Sequence, residues 1–214
     1  MTISPLWPSF LAGFTLFAGN FELGPALRKV ESRYNSVRTL QVDYRQEYSF
    51  SAQPLAKRSE SGVLFLQRPG KMRWEYREPA GKLFLSDGKT VYFYIPSSNR
   101  VERSRLKETE DLRAPLAFLL GRLDFDRDFR QFRVRPSGQD HWIEALPKSA
   151  KAAYRQVDFL LTPSFQISRL RIYGQDQSIM DYTFSNERLN PILNPKLFVF
   201  EPPQGAEVVD LEQP

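Results

Sequence analysis

Four places in the sequence carry residue types that could do chemistry. Ser86-Asp87-Gly88-Lys89-Thr90 ends as a phosphate-cradling loop ends, with glycine, lysine and a hydroxyl in order. That motif needs a further glycine where Leu83 stands, and a helix after it, so a hairpin turn between two apolar runs is the better reading. Asp124, Asp126 and Asp128 alternate as calcium ligands do, but Phe129 replaces the glycine of such a loop and Arg135 its closing glutamate. A solvated loop neutralised by Arg127 is expected instead. Arg127, Arg130, Arg133 and Arg135 interleave with Phe129 and Phe132, a pattern that can bind nucleic acid. An amphipathic strand with a solvated face looks the same, and no RNA-binding motif accompanies it. His141 is the single histidine, beside Trp142, so a histidine triad or multi-histidine metal site has no material.

Cysteine is absent, which excludes disulfides, thiolate metal sites, a cysteine nucleophile and a lipidated-cysteine anchor. No G-x-S-x-G elbow occurs, and the carboxylates are scattered over outward strand positions. The sequence therefore points to no enzyme, no cofactor and no metal. The 214 residues, 41% hydrophobic and 14% aromatic with 17 phenylalanines, suffice for a core. The net charge of +5 is interleaved with acidic residues and allows contact with anionic lipid or an acidic partner.

The elements that must position these residues follow from periodicity. Leu6 to Ala18 is apolar and short for a bilayer span; with Ala18 and Gly19 behind it, it fits a secretory signal over residues 1–20. No Lys or Arg precedes Arg28, which is atypical for a signal and leaves an amphipathic or buried N-terminal segment, or a misassigned start codon, as the other readings. From residue 21 a single domain is expected. Leu23, Ala26, Leu27, Val30, Tyr34 and Val37 form one helical stripe, with Asn20 as its cap. The period then becomes two: Leu40, Val42, Tyr44, Tyr48 and Phe50 share one face of a long strand. A loop is expected over 51–60. Strands follow over 61–67, 71–77, 82–86, 90–95, 99–103, 129–135, 140–146, 154–162, 165–173, 177–185 and 197–200, and an extended tail from Gln204. Residues 106–121 break this regularity with an apolar helix ending at Gly121. The expected fold is mainly β: a curved antiparallel sheet of about eleven strands, covered by apolar helices. Whether sheet and helices meet as a plain core or enclose a cavity stays open at this level.

Four blocks in order, "LFLQRPGKMRWEY" from Leu64, "LFLSDGKTVYFYIPSSNRV" from Leu83, "APLAFLLG" from Ala114 and "FVFEPPQGAEVVD" from Phe198, resemble the periplasmic outer-membrane lipoprotein carrier family, LolA. The resemblance implies a half-open β-barrel closed by helices around a hydrophobic cavity. It implies a soluble periplasmic, monomeric carrier that takes acylated lipoproteins from an inner-membrane ABC transporter to an outer-membrane receptor, with no cofactor and no nucleic acid. Arg68 matches the family's gate arginine, which donates to the backbone of the covering helices. Trp74 matches a family tryptophan, and Met72 stands where an aromatic residue is usual. By strand parity Leu40, Val42 and Tyr44 join Met72 and Trp74 as cavity lining; Leu23, Leu27, Leu116, Phe118 and Leu119 belong to the lid. A paralogue carrying another lipid, or a sensing module on the same half-barrel, is the alternative.

Overall fold

The computed structural model describes residues 21–50, 53–106, 123–150 and 152–211, with no account of the side chains of 53–56. Helix α1 (Leu23–Asn35) comes first and buries Ala26, Leu27, Val30 and Tyr34, the stripe expected of its spacing. Its N-cap is Glu22, which makes no side-chain cap bond; Asn20, expected as the cap, lies outside the described residues. Ser36 closes the other end, donating from Oγ to the Arg33 carbonyl at 2.9 Å.

Among the described residues, twelve strands follow in one sheet. They are β1 (Thr39–Phe50), β2 (Gln53–Gln67), β3 (Lys71–Glu78), β4 (Leu83–Asp87), β5 (Thr90–Ile95), β6 (Arg100–Arg105), β7 (Phe129–Ser137), β8 (Asp140–Pro147), β9 (Tyr154–Leu161), β10 (Ile167–Gly174), β11 (Ser178–Leu189) and β12 (Glu207–Asp210). Their order across the sheet is β12-β6-β5-β4-β3-β2-β1-β11-β10-β9-β8-β7. The sheet is open and curved, because β7 and β12 lie at opposite edges and do not pair. Each of these ladders is antiparallel except β12 on β6.

Four local expectations are corrected. Residues 53–60 are strand, not loop: Glu60, Ser59 and Arg58 pair with Gln46, Glu47 and Tyr48 of the long β1, since ladder bonds are made by backbone whatever the side chains. Residues 195–198 form a 3-10 turn instead of a strand, started by Pro195 and by Asn194, whose side chain accepts from the Lys196 N–H at 3.0 Å. The extended tail contains β12, which takes the place of the strand expected over 197–200. It runs parallel to β6 because the chain first crosses the outer face: the 3-10 turn packs on β3 and β4, and Phe200 stacks on Tyr92 at 4.4 Å. The DFDRD stretch is a single helical turn, α2 (Phe125–Asp128), capped by Asp124, which accepts from the Arg127 N–H at 2.9 Å.

Other turns are as expected. Asp87 accepts from the N–H groups of Lys89 and Thr90, both at 2.8 Å, and Gly88 takes φ +99°, so SDGKT is a hairpin. The β7 edge is guarded against further pairing by a register shift between Arg130 and Arg133, with Gln131 at φ +53°, and by Pro136.

The core lies on the face that carries α1. Rungs of cross-strand neighbours run over it: Leu40–Leu66–Met72–Ser86–Val91, then Val42–Leu64–Trp74–Phe84–Phe93. On the other half run Tyr182–Leu170–Phe159–Ile143 and Met180–Ile172–Val157–Ala145. Most of these join Leu27, Val30 and Tyr34 of α1 in one buried cluster.

Candidate functional site

Strand parity brings the five expected lining residues onto the helix-bearing face. Leu40, Val42, Tyr44, Met72 and Trp74 are all buried in the same cluster. The Tyr44 ring meets Trp74 edge-on at 4.5 Å and Tyr76 at 5.7 Å. Trp74 lies 5.9 Å from Tyr182, which stacks on Phe184 at 6.1 Å. Edge-to-face rings of this kind add about 0.5–1.5 kcal/mol per pair beyond their burial. Tyr76 and Tyr182 were absent from the expected lining. Alternation along β3 was the signal for Tyr76, which shares the parity of Met72 and Trp74; Tyr182 has the same signal within β11.

Sulfur satisfies the polar atoms of this face. The Trp74 indole Nε1–H donates to Met72 Sδ at 2.9 Å, and the Tyr182 hydroxyl to Met180 Sδ at 3.8 Å. Methionine at position 72 thus gives the indole an acceptor that an aromatic ring would not supply in the plane of the bond.

A polar clasp holds the C-terminal end of α1. The Arg68 Nη2 donates to the Tyr34 carbonyl at 3.2 Å, and the Arg68 backbone N–H to the Arg38 carbonyl at 2.9 Å. Tyr34 is in the last turn of α1, where carbonyls lack helical partners, so a guanidinium is a suitable donor. Burial draws the Arg68 guanidinium below its ordinary pKa, the mark of a cation held partly out of water. The Tyr34 side chain faces the opposite half of the sheet. Its hydroxyl donates to Glu187 Oε2 at 2.9 Å and accepts from the Ile167 N–H at 2.9 Å. Burial, then the Glu187 charge, pushes this hydroxyl far above its usual pKa, so it remains a donor. Glu187 also receives Arg33 Nη2 at 2.5 Å; burial opposes the Arg33 charge and the carboxylate outweighs it.

The same helix holds the segment before α2. Asn35 exchanges two bonds of 2.8 Å with the Leu123 backbone, and Glu31 accepts from the Phe125 N–H at 2.7 Å. Of the expected lid residues, Leu27 is buried and Leu23 is partly buried against the cluster. Leu116, Phe118 and Leu119 lie outside the described residues.

Removing Glu187 tests the clasp. Glu187→Ala leaves Arg33 and Tyr34 without their acceptor and is expected to cost about 2–3 kcal/mol, a fall in melting temperature of about 4–12 °C. Arg33→Ala combined with it should add little, because the partner is already gone. Additive losses in thermal melts would show that the two side chains do not share their stabilisation.

The remaining chemical candidates are accounted for structurally. His141 stacks on Phe21 at 4.0 Å and 15°. Phe129 is buried in the core, and Arg133 and Arg135 face Glu144 at 3.8 and 3.5 Å, so the basic stretch offers no exposed row of stacking rings. Among the described residues no group of three or more His, Cys, Asp or Glu is placed to hold a metal ion, and no helix is long and apolar enough to cross a membrane.

Comparison with known proteins gives a consistent picture. The family model described as outer membrane lipoprotein carrier protein LolA matches residues 35–201. An outer-membrane lipoprotein carrier protein of Methylococcus capsulatus is 30% identical over 198 residues, covering 91% of each chain. Another, from Nitrosomonas europaea, is 28% identical over 184 residues, 86% of this chain and 88% of that one. An uncharacterized conserved protein from Thermus thermophilus has a solved structure similar in fold, with a TM-score of 0.52 at 12% identity over 88% of this chain and 98% of that one.

Proposed function

We propose that this chain, which belongs to the outer membrane lipoprotein carrier protein LolA family, is a periplasmic carrier that takes up the acyl chains of lipoproteins on its helix-bearing face. It receives them from an inner-membrane ABC transporter and delivers them to an outer-membrane receptor. Residues 1–20 act as the export signal, and residues 21–214 form one carrier domain. Leu40, Val42, Tyr44, Met72 and Trp74 contact the chains, α1 with Leu23 and Leu27 serves as part of the lid, and Arg68 is its gate.

The observation that carries this reading is the layout of apolar and polar contacts. A broad aromatic and aliphatic face is covered by a helix whose polar ties cluster at one end, where Arg68 and Glu187 grip Tyr34 from the two halves of the sheet. A cover fixed at one end and held elsewhere by apolar contact can exchange those contacts for a lipid chain. Energetics favour such an arrangement. Burying acyl chain gains about 0.8 kcal/mol per CH₂, so several long chains would exceed any reversible affinity if water were the alternative. The bilayer offers the same burial, and transfer depends on the small difference between the two. A clasp that favours the closed, empty protein shifts this difference toward release.

The test is mass spectrometry of the full chain expressed with its N-terminal segment and purified from the periplasm without detergent. Bound acylated lipoprotein, with the residues before about Phe21 removed, is expected. Free lipid without attached protein would move the reading to a carrier of another lipid on the same fold. An empty, unprocessed chain retained in the cytoplasm would overturn both the carrier and the export readings.

A further inference from the structure

Ile192 stands clear of the rest of the chain. Its relative exposure is 103%, against 42–56% for the other exposed large apolar residues among those described, Phe50, Val199, Val208 and Leu211. Single exposed apolar residues are common, but they usually lie along the surface and bury part of their area. The segment that carries Ile192 is firmly attached. The Thr39 hydroxyl donates to the Pro191 carbonyl at 2.7 Å, the Asn190 N–H to the Thr39 carbonyl at 2.7 Å, and the Arg38 N–H to Asn190 Oδ1 at 2.8 Å. Asn190 takes φ +55°, in the left-handed region that asparagine tolerates. Three hydrogen bonds and a committed backbone hold an isoleucine out into water.

The charges around it are also unengaged. Arg38 and Arg188 are exposed, at the two strand ends that this segment joins. Neither guanidinium has a hydrogen bond or an ion pair among the described residues. Lys71 and Lys89 lie at the same end of the sheet, beside the row Thr39–Gln67–Lys71–Asp87, and their ammonium groups have no ion pair there either. Asp87 and Glu187, the acidic groups of these strand ends, are already engaged. The first accepts from the N–H groups of Lys89 and Thr90, the second from Arg33 and Tyr34. This end of the half-barrel therefore presents four unneutralised cations around one aliphatic knob.

That arrangement suits a bilayer surface better than a protein. A protein interface needs a contiguous complementary patch of about 800 Å² on each side, with apolar groups massed at its centre. Here a lone aliphatic side chain is set among long cationic ones. A headgroup layer needs no matching pocket: it takes the aliphatic group at the acyl boundary while its phosphates meet the cations beside it. We propose that this end of the protein docks on an anionic phospholipid bilayer, with Ile192 in the interfacial layer and Arg38, Arg188, Lys71 and Lys89 against lipid phosphates. The inference rests on the lipid-carrier reading, since a carrier of membrane-derived chains has to approach a bilayer, and adds the surface by which it does so. That surface adjoins the clasp. The Arg68 N–H donates to the Arg38 carbonyl at 2.9 Å, and the Arg68 guanidinium to the Tyr34 carbonyl. Docking through Arg38 sets the gated end of α1 beside the headgroups.

The experiment is flotation of the full mature chain with vesicles of phosphatidylethanolamine containing about 30% phosphatidylglycerol, against vesicles of phosphatidylcholine alone. At low salt the chain is expected to float with the first and about tenfold less with the second, and added salt should release it. Arg38→Gln combined with Arg188→Gln should weaken binding about tenfold, and Ile192→Ser about fivefold. All three positions are exposed, so these variants should melt as the wild type does. Arg130→Gln combined with Arg133→Gln removes the same charge from the β7 margin, where both are exposed, and should change binding by about twofold at most. No flotation with the anionic vesicles, equal flotation with the neutral ones, or equal losses from the two arginine pairs would overturn the inference. So would flotation only where the vesicles also hold the outer-membrane receptor, which would put a protein on Ile192. Each of these results leaves the carrier reading in place, since that reading stands or falls on the cargo found by mass spectrometry.

Discussion

An Arg68→Leu variant is expected to load acylated cargo and fail to hand it over. The guanidinium donates to the Tyr34 carbonyl in the last turn of α1, a bond available when the helix lies closed on the sheet. A hydrogen bond from a charged donor contributes about 1.5–3 kcal/mol, so its loss shifts the balance between open and closed forms by about 10- to 100-fold toward open. Leucine keeps the apolar stem and can add contact with an acyl chain. Both effects favour the loaded state, and release slows. An assay of lipoprotein transfer from the loaded carrier to outer-membrane receptor measures this directly. Handover at the wild-type rate would remove Arg68 from the gate. Lysine at this position is expected to restore only part of the rate, because an ammonium lacks the rigid fork of donors.

Gly62→Ala is expected to be the most destabilising small substitution in the sheet. Gly62 pairs with Tyr44 on one side and Tyr76 on the other, beside a register shift in β2. A Cβ there would lie 2.0 Å from the Glu75 carbonyl oxygen and 3.0 Å from the Tyr44 hydroxyl. The first contact is with backbone, which cannot rotate away as a side chain would, so β2 and β3 must separate locally. A loss above about 3 kcal/mol is expected, or at least about 6 °C in a thermal melt. Gly138→Ala is the control. Nothing lies within 4 Å of a Cβ there, and only its φ of +65° is unfavourable, at about 1–2 kcal/mol. Equal melting of the two variants would mean that β3 yields at Glu75 without cost.

The contrast between these two positions shows what a sequence of this kind discloses. Period-two alternation placed Leu40, Val42 and Tyr44 on one face, and likewise Met72 and Trp74, because one face is buried and register fixes side. The Asp87-Gly88 hairpin was legible from local turn chemistry. The first half of β2 was not: Arg58, Ser59 and Glu60 are strand only because β1 extends far enough to pair with them. β12 was hidden for a similar reason, its partner β6 lying about a hundred residues earlier. The position of Arg68 came from resemblance, but the acceptor it meets is a backbone carbonyl, and a carbonyl has no letter. Glu187 was missed because its partners Arg33 and Tyr34 lie 154 and 153 residues away, and no periodicity spans such a distance.

The two edges that never meet have a mechanical consequence. A closed cylinder of strands has its girth set by strand number and shear, and widening it means breaking a ladder or adding a strand. Here the twelve described strands lie in one open array with β7 and β12 as its margins. Small changes of twist, spread over the successive ladders, alter the splay of such an array without breaking any interstrand bond. The sheet behaves as a leaf spring, not a hoop. Its girth is set by the accumulated twist of its ladders and not by the number of its strands.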